Sequence, residues 1–273
     1  MPYALVLLLQ TSEGGSIPAI SGDLLHAAFF DLVSRTDAAL ANSLHQEEAR
    51  KPFTLGLIPL STQADGFSRI GLRVTLLKED LFPAFVRGLL DRGHRSQLRF
   101  GRAHYTVNDM LTTAALHPLA GCARYAEIWE EAEPKPSLTL RFDSPTVFRS
   151  FNRDVLLPDP RLIWQSWANT WNAFADEEKP CFEEKALLEQ IAAHVTIEHF
   201  RLESRSMLLK GIQQKGFVGA CSFKLQGLTE SDLRACHALA RFAFYAGTGR
   251  KTSMGMGQTR LQIPVGLQTV RSS

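Results

Sequence analysis

The chain reads as an α+β protein made of two tandem ferredoxin-like (RRM-like) units, each with the order β-α-β-β-α-β. Three observations predict this. Extended apolar runs alternate with amphipathic ones, and the series is played twice. An acidic stretch with two prolines, "EEAEPKPS" (130–137), stands between the two series as a linker. The length of 273 residues suits two domains of ordinary size, and 45% hydrophobic with 21% charged residues is an ordinary globular composition. We place the units at 1–128 and 137–273.

The first unit opens with "YALVLLLQ" (3–10), a buried strand. It is too short to span a bilayer and has neither a basic leader nor a small-residue cleavage site, so we expect a cytoplasmic protein. A turn, "TSEGGSIPAISG", leads to a helix that we expect Asp23 to cap. Leu24, Leu25, Ala28, Phe29, Leu32 and Val33 then recur at helical spacing. Pro52 ends the helix or turn that holds His45 and hands over to an extended run, 53–60. A strand (69–78), an amphipathic helix closed by glycine (79–93) and the strand "SQLRFGRAHYTVNDML" complete the unit.

The second unit begins with the strand "SLTLRFDSPTVFRS". In "DPRLIWQSWANTWNAFA", Trp164, Trp167 and Trp171 fall on one helical face and read as core rather than as a base-stacking platform. An inserted helix, "EKALLEQIAAHV", precedes two strands joined near Gly211. The helix "TESDLRACHALARFAFYAG" follows, with Thr229 and Asp232 as the outline of a capping box, and the strand "TRLQI" ends the series.

Charge and cysteine usage narrow the function. The net charge is only +2, but residues 195–273 hold eleven Lys/Arg against four acids, a local +7, which leaves −5 for residues 1–194. Such a split points to a polyanion-binding face at the C-terminal end. Cys122, Cys181, Cys221 and Cys236 are widely spaced with no CxxC pair, so we expect neither a metal site nor a disulfide framework, and no cofactor.

Between the last helix and the last strand lies "GTGRKTSMGMGQTR" (247–260). It fails the P-loop pattern, because Arg250 rather than glycine precedes Lys251. It fails the dinucleotide pattern too, because Thr252 stands where the third glycine belongs. Both motifs run strand, loop, helix; this loop follows a helix and precedes a strand. ATP and NAD are thereby disfavoured, and an RNA backbone is the expected polyanion. Gly247, Gly249, Gly255 and Gly257 would let the backbone approach it, Arg250, Lys251, Arg260 and Lys215 would supply charge, and Thr252 and Ser253 would supply hydrogen bonds.

This loop, placed after the last helix of a second ferredoxin-like unit, resembles the glycine-rich signature of the RAMP superfamily. More narrowly, it resembles that of the CRISPR-associated endoribonuclease that cuts precursor CRISPR RNA within its repeats. "KGFVGACSFKL" (215–225) is similar to that family's strand K-G-F-x-G, and "SLHQEEARKPFT" (43–54) to its "LH…KPFT" segment. The stretch 90–190 is placed only by order of elements. The resemblance implies repeat-RNA binding and metal-independent cleavage, in which the ribose 2′-OH attacks, the 5′-oxygen leaves and a 2′,3′-cyclic phosphate remains. A base must take the 2′-OH proton and a cation must offset the developing charge, tasks that suit histidine and lysine.

His45 and Lys51, six residues apart, match the family's catalytic His and nearby Lys, and Arg50 is adjacent. His26, one turn before Phe30, is the alternative or partner. Many members carry a tyrosine on the first helix where this chain has Phe29-Phe30, which leaves the second proton transfer without an assigned residue. His194 and His199 carry no catalytic assignment. Two other readings stay open: a non-catalytic RAMP subunit that binds CRISPR RNA in an effector complex, and a single-strand RNA-binding module with RRM-like sheets. Effector subunits and a second copy of the chain are the further partners that fit.

Overall fold

A computed structural model describes residues 1–11, 20–46, 50–59, 69–90, 97–175 and 180–262. The first unit runs β1 (Tyr3–Thr11), α1 (Gly22–Ser34), α2 (Ala38–Gln46), β2 (Phe53–Pro59), β3 (Arg69–Leu76), α3 (Leu81–Leu90), β4 (Gln97–Phe100) and β5 (Ala103–Leu111). β6 (Gly121–Cys122) and α4 (Tyr125–Glu130) lead out of it. Its strands pair antiparallel in the order β2-β3-β1-β5-β4, with β6 added to β1.

β1 is apolar without alternation because both of its faces are covered. Leu5, Leu7 and Leu9 join a core with Phe29, Leu32 and Phe85 of the helices. Ala4 instead belongs to the core of the second unit.

That second unit runs β7 (Ser137–Thr146), β8 (Phe148–Ser150), β9 (Arg153–Val155), α5 (Pro160–Phe174), α6 (Glu184–His194), β10 (Val195–Leu209), β11 (Ile212–Leu225), α7 (Glu230–Ala246), a 3-10 turn (Thr252–Met254) and β12 (Thr259–Leu261). Its sheet order is β10-β11-β7-β12. In both sheets the first strand lies between the third and the last, so the protein is a tandem ferredoxin-like fold.

α5 starts at Pro160 with Asp159 as its cap, whose carboxylate accepts from the Leu162 amide at 3.0 Å. Trp164, Trp167 and Trp171 are all buried, as their spacing predicts. Trp167 Nε1 also donates to Gly247 O at 3.1 Å and Thr248 Oγ1 at 2.9 Å, which pins the start of the glycine-rich loop to the core. Thr229 caps α7, accepting from the Asp232 amide at 3.2 Å while its hydroxyl donates to the Asp232 carboxylate at 2.7 Å.

Three local expectations are corrected. α1 begins at Gly22 with Ser21 at its N-cap, so Asp23 is not the cap residue; its carboxylate accepts from the Lys210 amide at 2.7 Å, in the β10–β11 turn. The stretch read as one strand after α3 is the hairpin β4–β5, which turns at Gly101 with φ 63°. The stretch read as one strand after the linker is β7 followed by half of a second hairpin, β8–β9. The turn after β1 and the glycine closure of α3 lie outside the described residues. Among the described residues no helix is long and apolar enough to cross a membrane, and no three His, Cys, Asp or Glu side chains group as metal ligands.

The two units meet along a polar seam. Arg73 of β3 is only 4% exposed, yet among the described residues no carboxylate hydrogen-bonds it. Its guanidinium donates to Leu119 O (2.9 Å), Phe244 O (2.6 Å) and the side chain of Gln258 (2.6 Å), and it stacks over the Phe244 ring at 4.4 Å. Gln258 donates in turn to Leu55 O at 2.9 Å, and Thr75 donates to Tyr245 O at 2.7 Å. Burial lowers the Arg73 pKa to about 10, so it is still a cation at neutral pH, solvated by protein carbonyls in place of water.

Candidate nucleic-acid interface

The glycine-rich loop is held by its own backbone. The Thr248 amide donates to Gly257 O (2.8 Å), Arg250 to Val147 O (3.0 Å) and Gly257 to Pro145 O (3.0 Å), while the Gly249 amide donates to the Ser166 hydroxyl (2.9 Å). Gly249 and Gly257 take φ of 78° and 71°, and a Cβ there would meet Val147 O at 2.5 Å and Thr248 O at 2.2 Å. Glycine at these two positions is thus a requirement of packing and turn geometry. Within the loop the amides of Lys251, Thr252 and Ser253 make no hydrogen bond among the described residues.

Beside these three residues opens a cleft of about 520 Å³. Its walls are loop residues Gly249 to Ser253, the polar face of α5 (Gln165, Ser166, Asn169, Thr170), Arg149 of β8, and Arg50 with Lys51 from the segment before β2. Among the described residues five cations therefore face one space. Asp154 is an acid beside them, 3.8 Å from Arg149 and 3.7 Å from Arg250. Both pairs are solvent-exposed and worth about 0–1 kcal/mol each, so an incoming phosphate can replace them. Burial, and then the charge of Arg250, lowers the Lys251 pKa; burial lowers that of Arg50, which donates to Thr170 Oγ1 at 3.2 Å.

Two histidines contact residues that line this cleft. Half-buried His26, on α1, has Nδ1 at 3.1 Å from Ser253 O. A carbonyl only accepts, so Nδ1 carries the proton and the neutral ring keeps its lone pair on Nε2. Burial is the main cause that lowers the His26 pKa; the charges of Lys51, His45 and Lys210 add to it and the bond to Ser253 opposes it. His45 lies in the last turn of α2 and is exposed. The Phe30 ring lies between the two, 4.8 Å from His26 and 5.4 Å from His45 between centroids. Lys51 Nζ donates to Leu44 O (2.6 Å) and His45 O (3.1 Å), closing the C-terminus of α2 where a cation suits the helix dipole.

Of the residues expected from the sequence, Lys51, Gly249, Arg250, Lys251, Thr252 and Ser253 line one opening, and His26 and His45 sit next to it through Ser253 and Lys51. The other assigned residues lie elsewhere. Gly247, Gly255 and Gly257 are buried. Arg260 of β12 pairs with Asp143 of β7 at 2.8 Å, and Lys215 is exposed on β11 outside the cleft. Arg149 and the polar face of α5 are additions that the structure makes to the site. The tryptophan stripe that marks the buried face of α5 also implies a polar face opposite, and that was the available signal.

A tandem ferredoxin-like protein with a cleft lined by cations fits the class of nucleic-acid-binding proteins. Comparison with known proteins narrows the class. The family model described as "CRISPR-associated endoribonuclease Cas6" matches residues 140–259, and the "CRISPR Cas6 N-terminal domain" matches residues 1–70. The solved Thermus thermophilus Cas6 (TTHB231) product complex is 34% identical with a TM-score of 0.86, covering 96% of this chain and 99% of that one. A Cas6 (TTHA0078) product complex is 27% identical with a TM-score of 0.78, over 96% and 99%.

Curated relatives from two organisms carry the name CRISPR-associated endoribonuclease Cas6. The one from Streptococcus thermophilus is 33% identical over 143 residues, 52% of this chain and 57% of that protein. The one from Mycobacterium tuberculosis is 30% identical over 140 residues, 51% and 43%. The chain thus spans about half the length of the curated relatives it matches. It belongs to the Cas6 family of CRISPR-associated endoribonucleases.

Proposed function

We propose that the chain is a metal-independent endoribonuclease that cleaves CRISPR repeat RNA by 2′-OH attack and leaves a 2′,3′-cyclic phosphate. One observation carries the reading: His26 is bonded to the carbonyl of Ser253, in the same short loop segment whose Arg250 and Lys251 face the cleft. The base and the cations are therefore held in register by one backbone. The named product and substrate-mimic complexes of related Cas6 proteins support RNA as the ligand class.

In this mechanism His26 Nε2, unprotonated because burial disfavours the imidazolium, takes the 2′-OH proton. His45 gives a proton to the leaving 5′-oxygen, the role that the phenylalanines of α1 leave vacant. Lys51 positions His45 through its backbone carbonyl and adds charge to the field. Arg50, Arg250 and Lys251 hold the phosphate oxygens, where charge builds in the transition state.

The test is incubation of the protein with its own locus's repeat RNA in EDTA, followed by mapping of the ends. A single cut with a 2′,3′-cyclic phosphate, abolished by 2′-deoxy substitution before the cut, is expected. His45→Ala should slow the cut by about 10²–10⁴-fold. Tight binding without any cut would overturn the catalytic reading in favour of a binding subunit, and a His45→Ala rate within a few-fold of the parent would remove His45 from the mechanism.

A further inference from the structure

The β8–β9 hairpin supplies Arg149 to the cleft, but its tip has no part in the mechanism above. Phe148 pairs with Val155, Arg149 with Asp154 and Ser150 with Arg153, leaving Phe151 and Asn152 as the two-residue turn. Both have left-handed φ, 46° and 61°. Asparagine tolerates that conformation; a bulky aromatic residue is a rare and strained occupant of it, and Asn-Gly is the pair such turns favour. Phe151 is also 99% exposed, so no packing compensates for the strain or for holding a phenyl ring in water.

The hairpin beneath it is firmly seated. Phe148 is buried against Phe217, and Asp154 accepts from Gln214 at 3.0 Å. Lys251 donates to the same Gln214 at 3.3 Å, which joins the hairpin to the loop. The ring thus projects from a fixed wall of the cleft, two residues and roughly 7 Å of strand beyond Arg149.

From this we infer that Phe151 is a base-stacking residue: its ring takes the face of one nucleobase of the bound RNA while Arg149, Arg153 and Arg250 hold the neighbouring phosphates. An aromatic face beside a track of cations is the arrangement that binds RNA by stacking and charge together. The inference rests on the RNA reading above. Either an unpaired base or the open face of a terminal base pair offers the required π surface.

The experiment is a fluorescence titration with the locus's repeat RNA carrying 2-aminopurine at successive positions. The parent protein quenches one position strongly, and whether that position is paired or unpaired identifies the source of the base. Phe151→Ala loses that quench and binds about 5- to 150-fold more weakly, with an unchanged salt slope because no ion is released by stacking. Phe151→Trp restores both readouts. Phe151→Asn suits the left-handed turn; it should melt no lower than the parent yet bind as weakly as Phe151→Ala, which separates stacking from folding. If the parent binds and cuts the RNA but Phe151→Ala binds within twofold with every quench intact, the inference falls and the ribonuclease reading stands. If the parent binds no repeat RNA, both fall.

Discussion

Residues 255–258 and residues 250–253 belong to one glycine-rich segment and sit in opposite surroundings. Met256 is fully buried, Gly255 and Gly257 lie in the interior, and Gln258 spans the seam between the two units through Arg73 and Leu55. Arg250, Lys251, Thr252 and Ser253 are half-exposed, face the cleft, and touch His26 through one carbonyl. The buried glycines therefore serve folding, while residues 250–253 form the part of the segment that faces the cleft. The difference separates two kinds of mutant: changes in the buried part should cost stability, and changes in the exposed part should cost binding or rate.

The largest effect on the stability side is expected from Gln258→Ala. It leaves a buried guanidinium short of one acceptor and should cost about 2–3 kcal/mol, read as a lower urea midpoint with unchanged m. On the exposed side, Arg250→Ala and Lys251→Ala should each leave that midpoint within about 0.5 kcal/mol, as surface changes do. Each should reduce the slope of log affinity against log salt by about 1, because one phosphate contact is lost. Equal stability losses in the two sets would erase the distinction.

The smallest expected effect is a pH dependence of stability. His26 and His237 both have lowered pKa values with burial as the first cause, so the unfolded chain binds more protons than the folded one just below the ordinary histidine value of 6.5. Their contribution is complete above that pH and is lost as pH falls through the window beneath it. A urea midpoint that drops between pH 7.5 and 5.5, and drops less in a His26→Gln, His237→Gln double variant, is the expected outcome.

Local signals carried most of the fold. The tryptophan spacing of three and four put α5 in its place, and the apolar run of β1 announced a strand covered on both faces. The cleft was half legible, since the loop and the "LH…KPFT" segment are each contiguous in sequence. What joins them is not. Arg73 and Gln258 lie 185 residues apart, and no spacing rule links them. Asp23 looked like a cap because it precedes an apolar-periodic run, yet the β10–β11 turn took its carboxylate. The β8–β9 hairpin was invisible for a local reason: Phe151-Asn152 lacks the glycine that signals a two-residue turn. The nearness of His26 and His45, each against the Phe30 ring, depends on α1 and α2 packing together, a tertiary fact.

The central claim is that His26, held by the exposed part of the loop, moves the proton that starts the cut. It is tested most directly by the single-turnover cleavage rate of His26→Ala at saturating repeat RNA in EDTA. The account predicts a fall of about 10²–10⁴-fold with RNA affinity and urea midpoint close to those of the parent. A rate within a few-fold of the parent would contradict it.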